Sequence, residues 1–496
     1  MMKCDILIIG SGIAGLSYAV KVAEKRKDLN IVLLTKEKIT SSNTELAQGG
    51  IAAVTNLVTD SFEKHIEDTM DAGGGLSDLK VVKHVVESAP KRLKELIEYG
   101  VEFCEDTTGN LELGLEGGHQ VNRIVHAKDQ TGSKVEEVLS EKIKTYKNIT
   151  IHTHFCAIDL IYDHESIVGT KVLDLKNKLV KVFLSKITVL ATGGSGQVFK
   201  YTTNPTVATG DGVAMANRVG AKISNMHYFQ FHPTAFMESE MNPLFLISEA
   251  VRGFGAFIIN EKAERFIFKS DSRGELATRD IVSKAIIEEL KGSNQSEVFL
   301  DCRHLDSNIF KKQFPFISEY CESKGYNLKE RLLPIIPAAH YQCGGIEADE
   351  NGRTSINNLF AIGECANTGL HGKNRLASNS LLEALVFAHD AAIETLKIID
   401  SINLNFSETT QVIILVKEKE AIYRNYKLKI QEIMSNKCSF GSEKKQVILA
   451  NSALILLKHE FLKNYEPRKL SVNSIEIINL FDVALLISNA IAKNLG

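Results

Sequence analysis

Apolar and polar positions resolve the N-terminal end of the chain first. Cys4 to Ile9 is a short, mostly apolar run, and Gly10-Ser11-Gly12-Ile13-Ala14-Gly15 follows it directly. Apolar residues then recur near helical period from about Leu16 to Lys27, and Ile31 to Thr35 reads as a second buried strand. Strand, glycine turn and helix in this order predict a dinucleotide-binding unit. The glycines let backbone N–H groups approach a pyrophosphate at the helix N-terminus. One feature departs from the usual pattern: where an acid would grip the adenosine ribose, Thr35-Lys36 stands instead. Lys36 would suit a 2′-phosphate, and a purely structural glycine turn is the alternative, so this motif alone leaves the ligand open.

Further along, Ile187 to Gly194 is another strand running into a glycine turn, and Gly210-Asp211-Gly212 precedes a helix. From about residue 226 to 336 the pattern changes to mixed strands and helices. Leu359-Phe360-Ala361-Ile362-Gly363-Glu364 then returns to nucleotide-binding character. The expected architecture is therefore an α/β Rossmann-like domain over 1–225 and 337–398, interrupted by an α+β capping domain over 226–336. A C-terminal helical domain over 400–496 follows. In it Val412 to Met434 and Glu443 to Leu462 alternate apolar and charged residues near helical period, with most charges expected on a solvated face.

Composition narrows the function classes. A net charge of −3 over 496 residues leaves no electrostatic footprint for nucleic acid or an anionic membrane. No apolar run reads as long enough to span a bilayer, and the chain opens on a strand rather than a signal peptide. A cytoplasmic protein with no membrane partner is the expectation. Eight cysteines without a Cys-x-x-Cys argue against a metal site or a disulfide framework.

Chemistry concentrates in His371-Gly372-Lys373-Asn374-Arg375-Leu376-Ala377-Ser378-Asn379-Ser380, just after the strand ending in Glu364. An acidic strand end can hold ribityl hydroxyls, an arginine can clamp a carboxylate with its planar fork, and a Ser-Asn-Ser cap opens a helix whose N-terminus favours negative charge. Other ordered motifs are Ser41-Ser42-Asn43-Thr44-Glu45-Leu46-Ala47-Gln48-Gly49-Gly50, Glu116-Gly117-Gly118-His119, Phe231-His232-Pro233-Thr234, Glu249 to Gly255, Glu275 to Asp280, and Ala338-Ala339-His340-Tyr341. With these in view the chain, over about residues 3 to 395, resembles the flavoprotein family of succinate dehydrogenase and fumarate reductase subunits. Within that family it is most similar to the soluble branch, the L-aspartate oxidases.

The resemblance implies FAD as cofactor, contacted by Gly10, Ser11, Gly12, Ile13, Ala14, Gly15, Lys36, Asn43, Thr44, Glu45, Leu46, Ala47, Gln48, Gly49, Gly50, Asp211, Glu364, Ser380 and Leu381. Membrane-bound relatives attach the flavin through a histidine whose position falls near Asn43 and Thr44 here. An amide cannot form that bond, so the FAD should be noncovalent. The resemblance also implies that His232, Ser248, His340 and Arg375 bind the two carboxylates of a small dicarboxylate, L-aspartate or fumarate. Arg279 is implied as the proton shuttle, with Glu249 and Arg252 as its relay to solvent, and hydride would pass from substrate C2 to flavin N5. Arginine is normally too basic to exchange protons, so such a role needs neighbours that relay them.

Taken singly, each of these residues has a plainer reading: a structural loop histidine, an arginine bracing a loop, an Arg279 paired to Asp280 or Glu275. Glu116 is implied as the anion that receives the ammonium of aspartate, against the alternative of a solvated loop glutamate. Gln120, Ser248 and Lys373 depart from the residues usual in the family, and Lys373 is expected to add bulk beside the substrate loop. The leading expectation is thus oxidation of L-aspartate to iminoaspartate for quinolinate and NAD synthesis, with oxygen or fumarate as acceptor and quinolinate synthase as a candidate partner. A fumarate reductase or succinate dehydrogenase flavoprotein subunit is the alternative, and a nonenzymatic or RNA-modifying FAD protein is a third and more remote one.

Overall fold

Alternate residues of the first strand enter opposite cores. In the computed structural model, which describes residues 2–237, 241–293, 297–404, 420–439, 441–465 and 470–495, β1 (Met2–Ile9) sends Ile6 and Ile8 into one core and Leu7 and Ile9 into another. Burial on both faces is what the interior of a parallel sheet requires, and it explains why the run reads as apolar rather than alternating. β1 pairs in parallel with β2 (Ile31–Thr35) on one side and β6 (Leu179–Leu190) on the other. The full sheet has seven strands in the order β3 (Ile149–Thr153), β2, β1, β6, β5 (Ser166–Asp174), β4 (Phe155–Asp163), with β11 (Leu359–Ala361) also paired to β6.

The glycine turn is set by close approach. Gly10 has φ +114°, and a Cβ there would sit 2.0 Å from the Ala191 carbonyl oxygen at the end of β6. Gly15 lies inside α1 (Ile13–Lys25), where a Cβ would meet the Gly10 carbonyl oxygen at 2.1 Å. The helix starts at Ile13 rather than at Leu16 because Gly12 is already extended and acts as its N-cap. Gly12 offers no capping side chain; the Ile13 amide donates to Thr44 Oγ1 at 3.1 Å, and the first-turn N–H groups that no side chain takes are open to a ligand. α2 (Thr131–Lys144) braces the loop that follows β2: the Gly132 amide donates to the Ala47 carbonyl at 2.9 Å.

The chain leaves this body through β7 (Phe229–Phe236) and returns through β10 (Leu333–Gln342), which pair antiparallel. They carry β9 (Val298–Asp301) and β8 (Phe257–Ile259) into a four-stranded antiparallel sheet. A separate core, drawn wholly from residues between Phe236 and Ile335, supports that sheet. α4 (Glu249–Gly253) and α5 (Arg279–Ser293) belong to this segment. Across its seam Asp129 accepts from the Ile317 amide at 2.8 Å and Glu112 from Gln313 Nε2 at 2.9 Å.

α7 (Glu420–Lys437), α8 (Lys444–Asn464) and α9 (Val472–Asn494) form the C-terminal helices. Of the helix expected over Val412 to Met434, positions 412–419 lie outside the described residues. α9 corrects one expectation. By length and composition it is apolar enough to cross a membrane, contrary to the reading of the sequence. Its apolar residues have a local explanation: Leu480, Phe481, Val483, Ala484 and Ile487 belong to the second core, the one that also holds Leu7 and Ile9 of β1. Its charges are not all solvated. Asp482 accepts from Arg218 at 2.7 Å, at the end of α3 (Asp211–Arg218), and from Lys458 at 2.6 Å.

Gly10→Ala tests the turn. The added methyl meets a carbonyl at the sheet edge in a left-handed backbone, so stability should fall by about 3 kcal/mol or more, read as a lower urea midpoint.

Candidate active site

A cleft of about 1350 Å³, its open mouth included, runs along the carboxyl ends of β1, β2 and β11. Ligands of open α/β sheets bind at that edge. Gly10, Ser11, Gly12, Ile13 and Ala14 line the cleft, together with Lys36, Asn43, Thr44, Leu46, Ala47, Asp211, Glu364, Ser380 and Leu381. Glu364 accepts from Asn43 Nδ2 at 2.6 Å and from the Gln342 amide at 3.1 Å. Burial still pushes its carboxyl up to about 7. Asn43 Oδ1 and Thr192 Oγ1 are buried at this cleft without a protein partner, and unpaired buried polar atoms are rare outside ligand sites. α6 (Asn379–Ile398) points its N-terminus here. Ser378 occupies the N-cap, but the cap differs from the one expected: its backbone is left-handed at φ 60°, and its hydroxyl donates to Glu116 Oε2 at 2.6 Å instead of bonding the helix.

His340 and Arg375 carry the cleft on toward the four-stranded sheet, where charge is buried densely. Arg279 Nε donates to Glu249 Oε2 at 2.5 Å, and Arg252 donates to Glu249 Oε1 at 2.7 Å. Burial pushes Glu249 up, but Arg252 and Arg279 overcome it and hold the carboxyl below its ordinary value. Glu116 is only 3% exposed. Burial and the neighbouring Glu249 raise its carboxyl, against Arg279, Ser378 and Arg375. Burial, then Arg279, depresses Arg375 to about 10, and its Nε has no partner in the protein. The His232 and His340 rings lie 5.0 Å apart. Both are held well below the usual imidazole range, first by burial and then by Arg279, so they are neutral near pH 7.

A family profile described as FAD binding domain matches residues 5–381. The L-aspartate oxidase of Acinetobacter baylyi is 38% identical, over 97% of this chain and 90% of that protein. The chloroplastic L-aspartate oxidase of Arabidopsis thaliana is also 38% identical, over 99% of this chain and 79% of that protein. The chain belongs to the L-aspartate oxidase family. Its fold is shared with an E. coli quinol fumarate reductase structure, at a TM-score of 0.90 and 27% identity over 99% of this chain and 89% of that one. The family's cofactor is FAD, and the cleft fits it: a glycine-lined helix N-terminus for the pyrophosphate, and an acidic strand end and unpaired amide for hydroxyls.

Not every residue assigned from the family reaches the cleft. Gly15 lies behind the turn, where it lets α1 approach the Gly10 carbonyl. Glu45 is exposed. Gln48, Gly49 and Gly50 line a neighbouring cavity, with Glu116 and with Ala250 and Phe254 of the inserted segment. Lys373 is exposed and lies along Gly74, away from the buried charges. Gln120 is tied to Asp68, and Ser248 caps α4 through the Ala250 amide. Arg279 is paired to neither Asp280 nor Glu275: Asp280 accepts from Thr278 and Asn374, and Glu275 from Arg265.

Several functional residues escaped the reading of the sequence. Gln230 accepts from Arg279 at 3.0 Å and donates to Asn374 Oδ1 and the Arg375 carbonyl at 2.6 and 2.7 Å, so one amide joins the insertion to the arginine loop. Strand periodicity was the available signal, since Gln230 sits two residues before His232 on β7. Tyr341 lies under Arg375, 4.5 Å from ring centre to guanidinium carbon, and its hydroxyl donates to Glu383 at 2.8 Å. Glu136 of α2 accepts from Ser42 at 2.6 Å, and the same Ser42 oxygen accepts from the Thr44 amide at 3.0 Å.

Glu136 yields a pH test. Burial pushes it up to about 8. Between the ordinary carboxylate range and about pH 8 the folded chain holds a proton that the unfolded chain has lost, so stability falls as pH rises through that window. Glu136→Gln removes the titration. Urea midpoints at about pH 5 and about pH 8 should differ less in the variant, by on the order of 3 kcal/mol in unfolding free energy; identical slopes would exclude it.

Proposed function

We propose that this chain oxidises L-aspartate to iminoaspartate, with oxygen or fumarate as final acceptor, and so opens quinolinate and NAD synthesis. Buried charge around Glu116 supports the reading most directly. Glu249 is already paired with Arg252 and Arg279, and Glu364 acts on Arg375. Glu116 lies beside Arg279 and Arg375 yet makes no ion pair among the described residues. It is therefore the carboxyl of this cluster suited to receive a cation next to groups that receive carboxylates. L-Aspartate brings that ammonium with its two carboxylates, and a dicarboxylate without an amine does not.

Oxidation removes a hydride from C2 and a proton from nitrogen. Bound FAD supplies the two-electron acceptor. Arg375, flattened against Tyr341 with its Nε unpaired, is suited to clamp one carboxylate, and His232 and His340 to donate to the other. Glu116 would hold the ammonium. Arg279, Glu249 and Arg252 form a hydrogen-bonded row along which a proton can pass. The segment from 226 to 336 would act as a cap that excludes water, hinged where β7 and β10 cross to the main body. Asn43, already donating to Glu364, stands where covalent relatives carry histidine, which supports noncovalent FAD. Cytoplasmic residence and a docking quinolinate synthase belong to the same proposal.

The test separates the two substrates. Glu116→Gln should lower kcat/KM for L-aspartate by tens- to a hundredfold, the ~2–3 kcal/mol of a charge-assisted contact, and affect fumarate reduction far less. In the parent chain the KM for fumarate should rise with pH as the raised Glu116 carboxyl ionises and the KM for aspartate should fall. Both profiles should flatten in the variant. Equal losses on both substrates would refute the assignment of Glu116.

A further inference from the structure

Lys36 has no hydrogen left to offer a ligand. Its ammonium, which carries three donors, gives them to Thr209 Oγ1 at 2.8 Å, Asp211 Oδ2 at 2.8 Å and Glu476 Oε1 at 2.5 Å. The third partner comes from α9, in the C-terminal part of the chain. Asn479, one turn on, donates to Asp211 Oδ1 at 2.9 Å. Val483, a further turn along, packs where a Cβ on Gly210 would meet its Cγ2 at 2.6 Å. One face of α9 is thus seated against the loop that carries Asp211. Lys427 is the other cation whose charge Glu476 feels, and no ion pair joins the two among the described residues.

Lys36 and Asp211 line the cofactor cleft at the end of β2, where the dinucleotide fold reads the adenosine ribose. A free cation there welcomes a 2′-phosphate. Here two carboxylates flank the cation and every N–H is taken. We propose that Glu476 is a specificity residue for the adenosine end of the cofactor: by holding the third donor of Lys36 it makes the cleft reject a 2′-phosphorylated ribose. The inference rests on the FAD reading of the cleft and adds the C-terminal helix to that site.

The test uses the full-length, FAD-loaded chain and follows release of flavin fluorescence as ADP-ribose or its 2′-phosphate displaces FAD. The parent chain should favour ADP-ribose by at least about tenfold, and Glu476→Leu should cut that preference by about tenfold, because Lys36 then has a donor to spare. Taking a ratio removes any general loss of affinity or folding. In a Lys36→Met background the Glu476→Leu change should leave the ratio unmoved, since the cation it acts through is gone. An unaltered ratio in Glu476→Leu, or the same shift with and without Lys36, would overturn the proposal. A parent chain that purifies colourless would overturn the FAD reading together with it, so the two failures look different.

Discussion

Guanidinium groups taken out of water need anions, and the region around Glu249 is built to meet that demand. Glu249 is 1% exposed and accepts from both Arg252 and Arg279. A buried carboxylate so paired is a positioning device more than a source of stability, because desolvation offsets much of the attraction. Its consequence is geometric. Arg279 is held at one end by Glu249 and at the other by Gln230, and Gln230 in turn holds the loop that carries Arg375. Two arginines from different parts of the fold are thereby locked together beside Glu116.

The rest of the architecture serves that lock. The parallel sheet sets the glycine turn and Glu364 at one edge. β7 and β10 lead from there into the inserted sheet, bringing His232 and His340 to within a ring's width of each other. The loop bearing Glu116 needs its own anchor. His119 accepts from Arg123 at 2.9 Å and its other nitrogen meets the Ala377 carbonyl at 3.0 Å, which assigns the proton to Nε2. Arg123 is fully buried and grips Asp60 with a bidentate pair.

Much of this was legible in the sequence wherever the signal is local. β1, the glycine turn and β2 are consecutive, and their burial imposes an apolar pattern on a few adjacent residues. Glu249 and Arg252 share one helical turn, so their spacing alone makes them neighbours. What was not legible depends on contacts far apart in the chain. Ser378 reads as a helix cap, yet its hydroxyl is spent on Glu116, 262 residues away. Lys36 reads as a phosphate ligand, yet Glu476 meets it across 440 residues. α9 reads only as part of a helical tail, and packing sets the partners of two of its charges: Asp482 bridges to α3 and α8, and Glu476 reaches the cofactor cleft.

The proposed match to one ammonium and two carboxylates is tested most directly without oxygen, by mixing the FAD-loaded chain with one reductant at a time and following the visible absorbance of the flavin. L-Aspartate should bleach the flavin rapidly, while D-aspartate, L-glutamate and succinate at the same concentration should bleach it slowly or not at all. Rapid bleaching by succinate, or a flavin that stays oxidised in L-aspartate, would contradict a site that receives one ammonium and two carboxylates.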